Sequence, residues 1–408
     1  MNYEVIMFNM SSYTEWQHGV VNRNYHVFNY LLKNKDVDRV IAIDFLPFTF
    51  KRAIRNYWEN IIKGTTGKVV YRDLTTRCVK IDRKGAELYI FSTIDSVFSH
   101  KRVIRKLNKV FKRSSKLSRI VYSCFPMFVD YFSNIKTDLT IFDTVDNWIE
   151  HPSFKKYQNV LRKNYKIISE KSDLIFTVSE GLKEFFEKQG RVKNVYWAPN
   201  GVDVNHFTPS IARTAELNSI TDPSGQFSSD VECDVLRGIT SPIIGYLGTI
   251  QHRFDVDLLE YLAENNPKKS FVLVGPIWQS DLKEKLKRHK NVYLLGRVPH
   301  SQAPNYINCF DVAIIPHKID KFIKSTYSLK LLEYLSCGRP VVTTPTPETK
   351  GFQDVIYIAR DYEDFNKKIN LALKEDNILL RDKRAKRVKG ESWEIKIGKM
   401  MEKIDNFV

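Results

Sequence analysis

No apolar run in these 408 residues approaches the roughly 18 needed to cross a bilayer, which argues against a spanning helix. Cysteine is sparse: Cys78, Cys124, Cys233, Cys309 and Cys337 are scattered, without metal-ligand spacing. An odd set of dispersed thiols fits a reducing cytoplasm better than a disulfide framework. The opening MNYEVIMFNMSSYTEW lacks a basic stretch followed by an apolar segment and a small-residue cleavage site. It reads as a first strand entering a loop rather than as a secretion signal. No short-period repeat and no recognised nucleic-acid module is visible. Acidic residues are also short, 47 against 64 basic, leaving a net charge of +17 that implies an anionic partner.

The positive charge is concentrated. From Lys101 to Arg119 there are nine Lys/Arg and no acid. Ile104, Leu107, Val110 and Phe111 fall on one helical stripe, with Lys101, Arg105, Lys109, Lys112 and Lys116 elsewhere around the wheel. Lys101, Arg102, Arg105, Lys109, Lys112 and Arg113 are the candidates to meet membrane or acceptor. Two readings stay open: a helix lying in the headgroups of an anionic membrane, or a solvated helix packed on a sheet. The stretch Lys51 to Lys63, with Tyr57 and Trp58, is a second candidate for the membrane surface.

A chain of this length exceeds one ordinary core, and its pattern supports two domains. Apolar, β-branched stretches at 5–8, 40–43, 88–91, 120–123, 139–142 and 174–177 alternate with amphipathic segments. After a Ser-, Asp- and Gly-rich interval the alternation restarts at 243–247, 271–274, 292–295, 312–315 and 341–343. This is the spacing of β-α units around parallel sheets. The expected fold is α/β, with two doubly wound Rossmann-like domains facing a cleft. Their bounds are 1–208, a linker at 209–241, 242–390, and a C-terminal helix over 391–408. An extra hairpin is expected within Lys68 to Asp82.

The most informative stretch is Ser325 to Thr344, STYSLKLLEYLSCGRPVVTT. It predicts a short amphipathic helix stopped by Gly338 and Pro340, then a buried strand at Val341-Val342-Thr343. Lys330 and Glu333 share one helix face while Leu331, Leu332 and Leu335 face a core. A helix N-terminus with a lysine suits a diphosphate, and a carboxylate one turn on suits ribose hydroxyls. The plain alternative is a surface i,i+3 pair. The segment resembles the donor-site pattern P-x-K-x-x-E-Y-L-x-x-G-x-P-V-V of GT-B glycosyltransferases, especially the family-4 group with its capsule and teichuronic-acid members. Trp197 to Asp203 with Phe207 resembles that group's P-N-G-V-D turn. Ile244 to Thr249 resembles its Gly-rich turn, and Leu294 to Val298 its base-contacting loop. Ile141 to Trp148 resembles the Y-D-x-x-D-x-W element of the capsule branch.

That resemblance implies a GT-B enzyme and assigns roles. Lys330 faces the donor phosphates, with Arg253 as a second cation and Gly248 and Gly19 permitting close backbone approach. Glu333 binds the ribose, and Arg297 lies in the base loop. One departure matters: the second glutamate usual eight residues earlier is Ser325 here, so Ser325 or Tyr327 stands at the sugar-facing side. Asp146, supported by Asp143, is the candidate base for the acceptor hydroxyl, and helix capping is the alternative role for both. A true base at Asp146 would favour inversion, whereas most of family 4 retains configuration. His18 and His26 are weaker candidates. Asp255-Val256-Asp257 reads as a helix start rather than as a metal-diphosphate loop, so neither metal nor cofactor is expected.

The expected activity is therefore metal-independent glycosyl transfer from a nucleotide-sugar, UDP by default, to a lipid-linked or glycan acceptor of cell-envelope polysaccharide. The expected place is the cytoplasm, at the inner face of an anionic membrane, with no nucleic-acid partner. A nucleotide-sugar 2-epimerase shares the fold, but the N-G-V-D turn and the E-Y-L motif oppose it. A non-catalytic lipid or nucleic-acid binder would not need Lys330 and Glu333, and Ser325 keeps an inactive transferase open.

Overall fold

A computed structural model describes residues 2–210 and 234–407. The chain forms two compact units, one of residues 1–199 with 397–408 and the other of 200–396. Most of the stretch expected as a linker, including Cys233, lies outside the described residues. Among the described residues no helix is long and apolar enough to cross a membrane.

The first unit is built on a nine-stranded sheet. Its strands are β1 (Tyr3–Phe8), β2 (Val37–Ile43), β3 (Lys68–Arg72), β4 (Thr76–Ile81), β5 (Glu87–Thr93), β6 (Ser118–Ser123), β7 (Leu139–Thr144), β8 (Leu174–Thr177) and β9 (Val195–Trp197). The spatial order is β3-β4-β5-β2-β1-β6-β7-β8-β9. β3 and β4 pair antiparallel, as the expected hairpin, and β4 also runs antiparallel to β5. The remaining pairs are parallel, for instance Val5 beside Val40 on one side and Ile120 on the other. β1, β7 and β8 are buried along their whole length, which explains why they read as continuous apolar runs rather than alternating ones.

The core of this unit also holds charge. Arg23, on the helix Arg23–Lys33, donates from Nε to Asp143 Oδ2 (2.7 Å) and from Nη2 to Asp143 Oδ1 (2.9 Å). Tyr122 donates its hydroxyl to the same carboxylate. Glu4 accepts from Arg119 (2.6 Å) and Arg39 (2.8 Å). Bidentate geometry satisfies both oxygens of Asp143 and offsets much of the cost of desolvating the pair.

The basic segment at 101–119 is shorter as a helix than its composition allowed. It runs His100–Val110, with Val103, Ile104 and Leu107 buried in the core. Lys101, Arg102, Arg105 and Lys109 remain exposed on it, as do Lys112 and Arg113 beyond its end. Its apolar stripe is therefore the seam that packs on the sheet.

The second unit has a six-stranded, all-parallel sheet: β10 (Ile243–Leu247), β11 (Ser270–Val274), β12 (Val292–Gly296), β13 (Val312–Ile315), β14 (Val341–Thr343) and β15 (Tyr357–Ile358). Their order is β12-β11-β10-β13-β14-β15. The turn at Asn200-Gly201-Val202 is clasped to the start of the last helix, Trp393–Asp405. Val202 N donates to Glu391 O (3.0 Å) and Trp393 N to Val202 O (3.2 Å). A Cβ on Gly201 would sit 2.7 Å from Trp393 N, so only glycine permits the clasp.

Gly245 has a different reason to be glycine. A Cβ there would lie 2.1 Å from the Phe310 ring, which packs flat on β10. Gly245→Ala is expected to destabilise the protein by about 1–3 kcal/mol, as overpacking does, read as a lower midpoint in urea unfolding with nucleotide absent.

Candidate functional site

In the second unit the strand order reverses between β10 and β13. Open parallel sheets leave a crevice at such a reversal, beyond the carboxyl ends of the two strands, where ligands bind. The loop after β10 carries Gly248 and Arg253, and the loop after β13 carries Pro316 and His317. The two loops are laced together: Asp255 N donates to Pro316 O (2.8 Å) and Lys318 N to Arg253 O (2.9 Å). Asp255 also caps the helix Val256–Asn265, accepting from Leu258 N (3.2 Å), as a helix-starting aspartate does.

The helix Leu329–Ser336 follows with its N-terminus uncapped by the Ser328 side chain. Leu331, Leu332, Tyr334 and Leu335 are buried, which leaves Lys330 and Glu333 half-buried toward the site. Gly338, at φ 72°, ends the helix, and its N–H donates to Leu335 O (2.9 Å). Tyr334 fixes the helix to the end of β10, accepting from Leu247 N (2.7 Å) and donating to Leu247 O (3.2 Å). As a result the Lys330 side chain lies across Gly248. A Cβ on that residue would come within 2.1 Å of Lys330 Cε and 2.8 Å of Nζ. The ammonium also stands 5.5 Å from the centre of the Tyr246 ring.

This crowding sets the electrostatics. Desolvation pushes the Lys330 ammonium down, and Arg253 nearby adds to the fall, while Glu333 and Glu348 oppose it. Desolvation likewise pushes Glu333 up, against the pull of Lys330. The buried His317 imidazole is held well below its usual range, first by desolvation and then by Lys330 and Arg253. An anion entering between these cations would favour the charged form of Lys330 and is therefore bound favourably.

Among residues named from sequence, Gly248, Arg253, Lys330 and Glu333 come together here. Ser325 closes the short turn Ile323–Ser325, with its hydroxyl donating to Lys321 O (3.1 Å). Tyr327 accepts at its carbonyl from Asn200 Nδ2 (2.8 Å). Arg297 is exposed just past β12, at the outer edge of the sheet. Gly19, Asp143 and Asp146 belong to the first unit. Gly19 sits in an exposed turn at φ 84°, after the helix Tyr13–Gln17. Asp143 is locked by Arg23, whereas Asp146, three residues on, is half-buried in the loop beyond β7. That loop is held by the Tyr165 hydroxyl, which donates to Asp146 O (3.1 Å).

Two residues of the site escape sequence reasoning. Glu348 follows β14 in the turn Pro347–Gly351, is 4% exposed, and accepts from Ser328 N (3.2 Å) at the start of the lysine-bearing helix. Its Oε2, like His317 Nε2, is buried with no hydrogen-bond partner among the described residues. Position at the carboxyl end of β13 could have drawn attention to His317. Nothing periodic marks Glu348.

The chain is similar to known proteins in sequence and in fold. Residues 241–375 match the family described as glycosyl transferases group 1. The putative teichuronic acid biosynthesis glycosyltransferase TuaH of Bacillus subtilis is 25% identical over 279 residues. That match covers 65% of this chain and 66% of TuaH, just under two thirds of its length. Sucrose-phosphate synthase of Thermosynechococcus elongatus shares the fold at a TM-score of 0.65, with 14% identity and all of both chains covered. Anabaena HepE, solved with UDP and glucose, does so at 0.63, with 12% identity over 99% of this chain and 100% of its own.

The Glu348 carboxyl yields a pH prediction. Burial raises it from 4.5 to about 7, so between those values the folded chain holds a proton that the unfolded chain has lost. Stability from this group is thus full below the unfolded value and declines as pH rises through about 7. Glu348→Gln keeps the acceptor for Ser328 and removes the decline. Urea unfolding should show the variant gaining about 2 kcal/mol on wild type between about pH 5 and pH 8. Equal slopes for both proteins would mean the carboxyl is ionised beside Lys330.

Proposed function

We propose that the chain is a group 1 glycosyltransferase of the GT-B fold and that it transfers a sugar from a nucleotide-sugar to a lipid-linked or glycan acceptor in cell-envelope polysaccharide synthesis. The observation that carries this reading is the Lys330 side chain lying across Gly248 at the strand reversal, with Glu333 one turn further along the same helix. The donor diphosphate rests against the uncapped helix N-terminus, with Lys330 and Arg253 supplying positive charge as the sugar-phosphate bond breaks. This electrostatic work needs no metal. Glu333 accepts from the ribose hydroxyls, and UDP is the favoured carrier, as in the HepE complex.

In the first unit the two carboxylates divide the work. Asp143, bound by Arg23 and Tyr122, anchors the end of β7. Asp146 takes the proton of the acceptor hydroxyl. The excess of 64 basic over 47 acidic residues supports a working position at the inner, anionic face of a membrane.

Calorimetry with UDP-, GDP-, ADP- and dTDP-sugars tests the donor site. One nucleotide class should bind, and Glu333→Ala should weaken it by about 10- to 100-fold through loss of charge-assisted hydrogen bonds. Failure of all four to bind folded protein would remove the donor assignment. For the base, Asp146→Asn should leave donor affinity unchanged and cut transfer to a lipid-linked acceptor by about 100-fold or more. A variant transferring at the wild-type rate would exclude Asp146 from that role.

A further inference from the structure

The helix Phe50–Asn56 continues directly into a wider π-helical segment, Tyr57–Lys63. Ala53, Asn60 and Ile61 face inward and are buried. On the outer side Phe50, Ile54, Trp58 and Ile62 recur every fourth residue and stay 65, 64, 57 and 39% exposed. Phe98, itself 55% exposed, meets Phe50 edge to face at 6.0 Å between ring centres. Single exposed apolar residues need no explanation, but a row of large ones on one helix face marks a surface made to be covered.

The surroundings of the row are cationic. Lys51, Arg52, Arg55 and Lys63 belong to the same helix and are exposed. Its one acid, Glu59, is paired to Arg55 (2.9 Å). Next to Phe98 the helix His100–Val110 adds exposed Lys101, Arg102 and Arg105, with the Arg102 guanidinium 5.8 Å from the centre of the Phe98 ring. That second helix keeps its own apolar residues, Val103, Ile104 and Leu107, in the core, so it offers charge and no insertion. A second copy of the chain would set these cations against each other, which opposes self-association through this face. An anionic bilayer accepts both features at once: the aromatic and aliphatic row enters the headgroup boundary while lysine and arginine meet lipid phosphates.

Building on the reading that the chain works at a membrane, we propose that the row Phe50, Ile54, Trp58 and Ile62, with Phe98, is the segment that enters an anionic lipid surface, and that Lys51, Lys101, Arg102 and Arg105 hold it there.

Sedimentation of the full chain with vesicles of phosphatidylcholine, with and without about one third phosphatidylglycerol, tests this. Wild type is expected to pellet with the anionic vesicles, and Ile54→Glu with Trp58→Glu to lower its bound-to-free ratio by about tenfold or more. Both side chains are exposed, so the variant should fold, and unchanged UDP-sugar binding checks that it does. No pelleting of wild type would overturn the membrane reading and this proposal with it. Pelleting unaffected by the substitutions would overturn the assignment of the row alone. A wild-type dimer in light scattering that the substitutions split would give the surface to a second copy instead, and overturn it likewise.

Discussion

The candidate site depends on how closely a helix can approach the end of a strand. Lys330 is placed where the β10 turn would normally put a side chain, and it fits because residue 248 has none. The same economy recurs behind it, where a Cβ on Gly275 would come within 2.2 Å of Gly248 O. Tyr334 then fixes the distance, since its hydroxyl both accepts from and donates to the backbone of Leu247. Loss of any of these would move the lysine away from the strand reversal. The raised acidity of Lys330 follows from this crowding.

The first unit illustrates how environment separates two like groups. Asp143 and Asp146 are three residues apart and indistinguishable by type. Asp143 lies on β7 inside the sheet and is saturated by a guanidinium and a phenol. Asp146 lies past the strand end, half-buried just before the buried Trp148 and Ile149. A buried and fully paired carboxylate stabilises a fold and takes little part in proton transfer.

Much of the fold and of the candidate site is legible in the amino-acid sequence alone. The strands of both units stand out because buried parallel strands need unbroken apolar runs, and the 325–344 segment contains its own start, stop and strand signals. The short strands β9 and β15, of three and two residues, are too brief for periodicity to reveal. The helix at 100–110 shows the limit of pattern reading. An apolar stripe looks the same whether it meets a sheet or a lipid, and packing against β-strands decides between them. Conversely, the row from Phe50 to Ile62 gains its meaning from Ala53 and Ile61, which occupy the inward side and leave the row outside. Glu348 is illegible because its meaning comes from a contact with Ser328, twenty residues away in the chain.

The last helix carries a consequence for how the molecule is made. Ile397, Met400, Met401 and Ile404 close over Val5, Ile120 and Ile141, and the Tyr3 hydroxyl donates to Asp405 (2.8 Å). These partners of the first strand emerge from the ribosome only after the whole of 200–396 has been translated. During synthesis the first unit therefore waits with an apolar flank open to water, and its completion is timed by the production of the second.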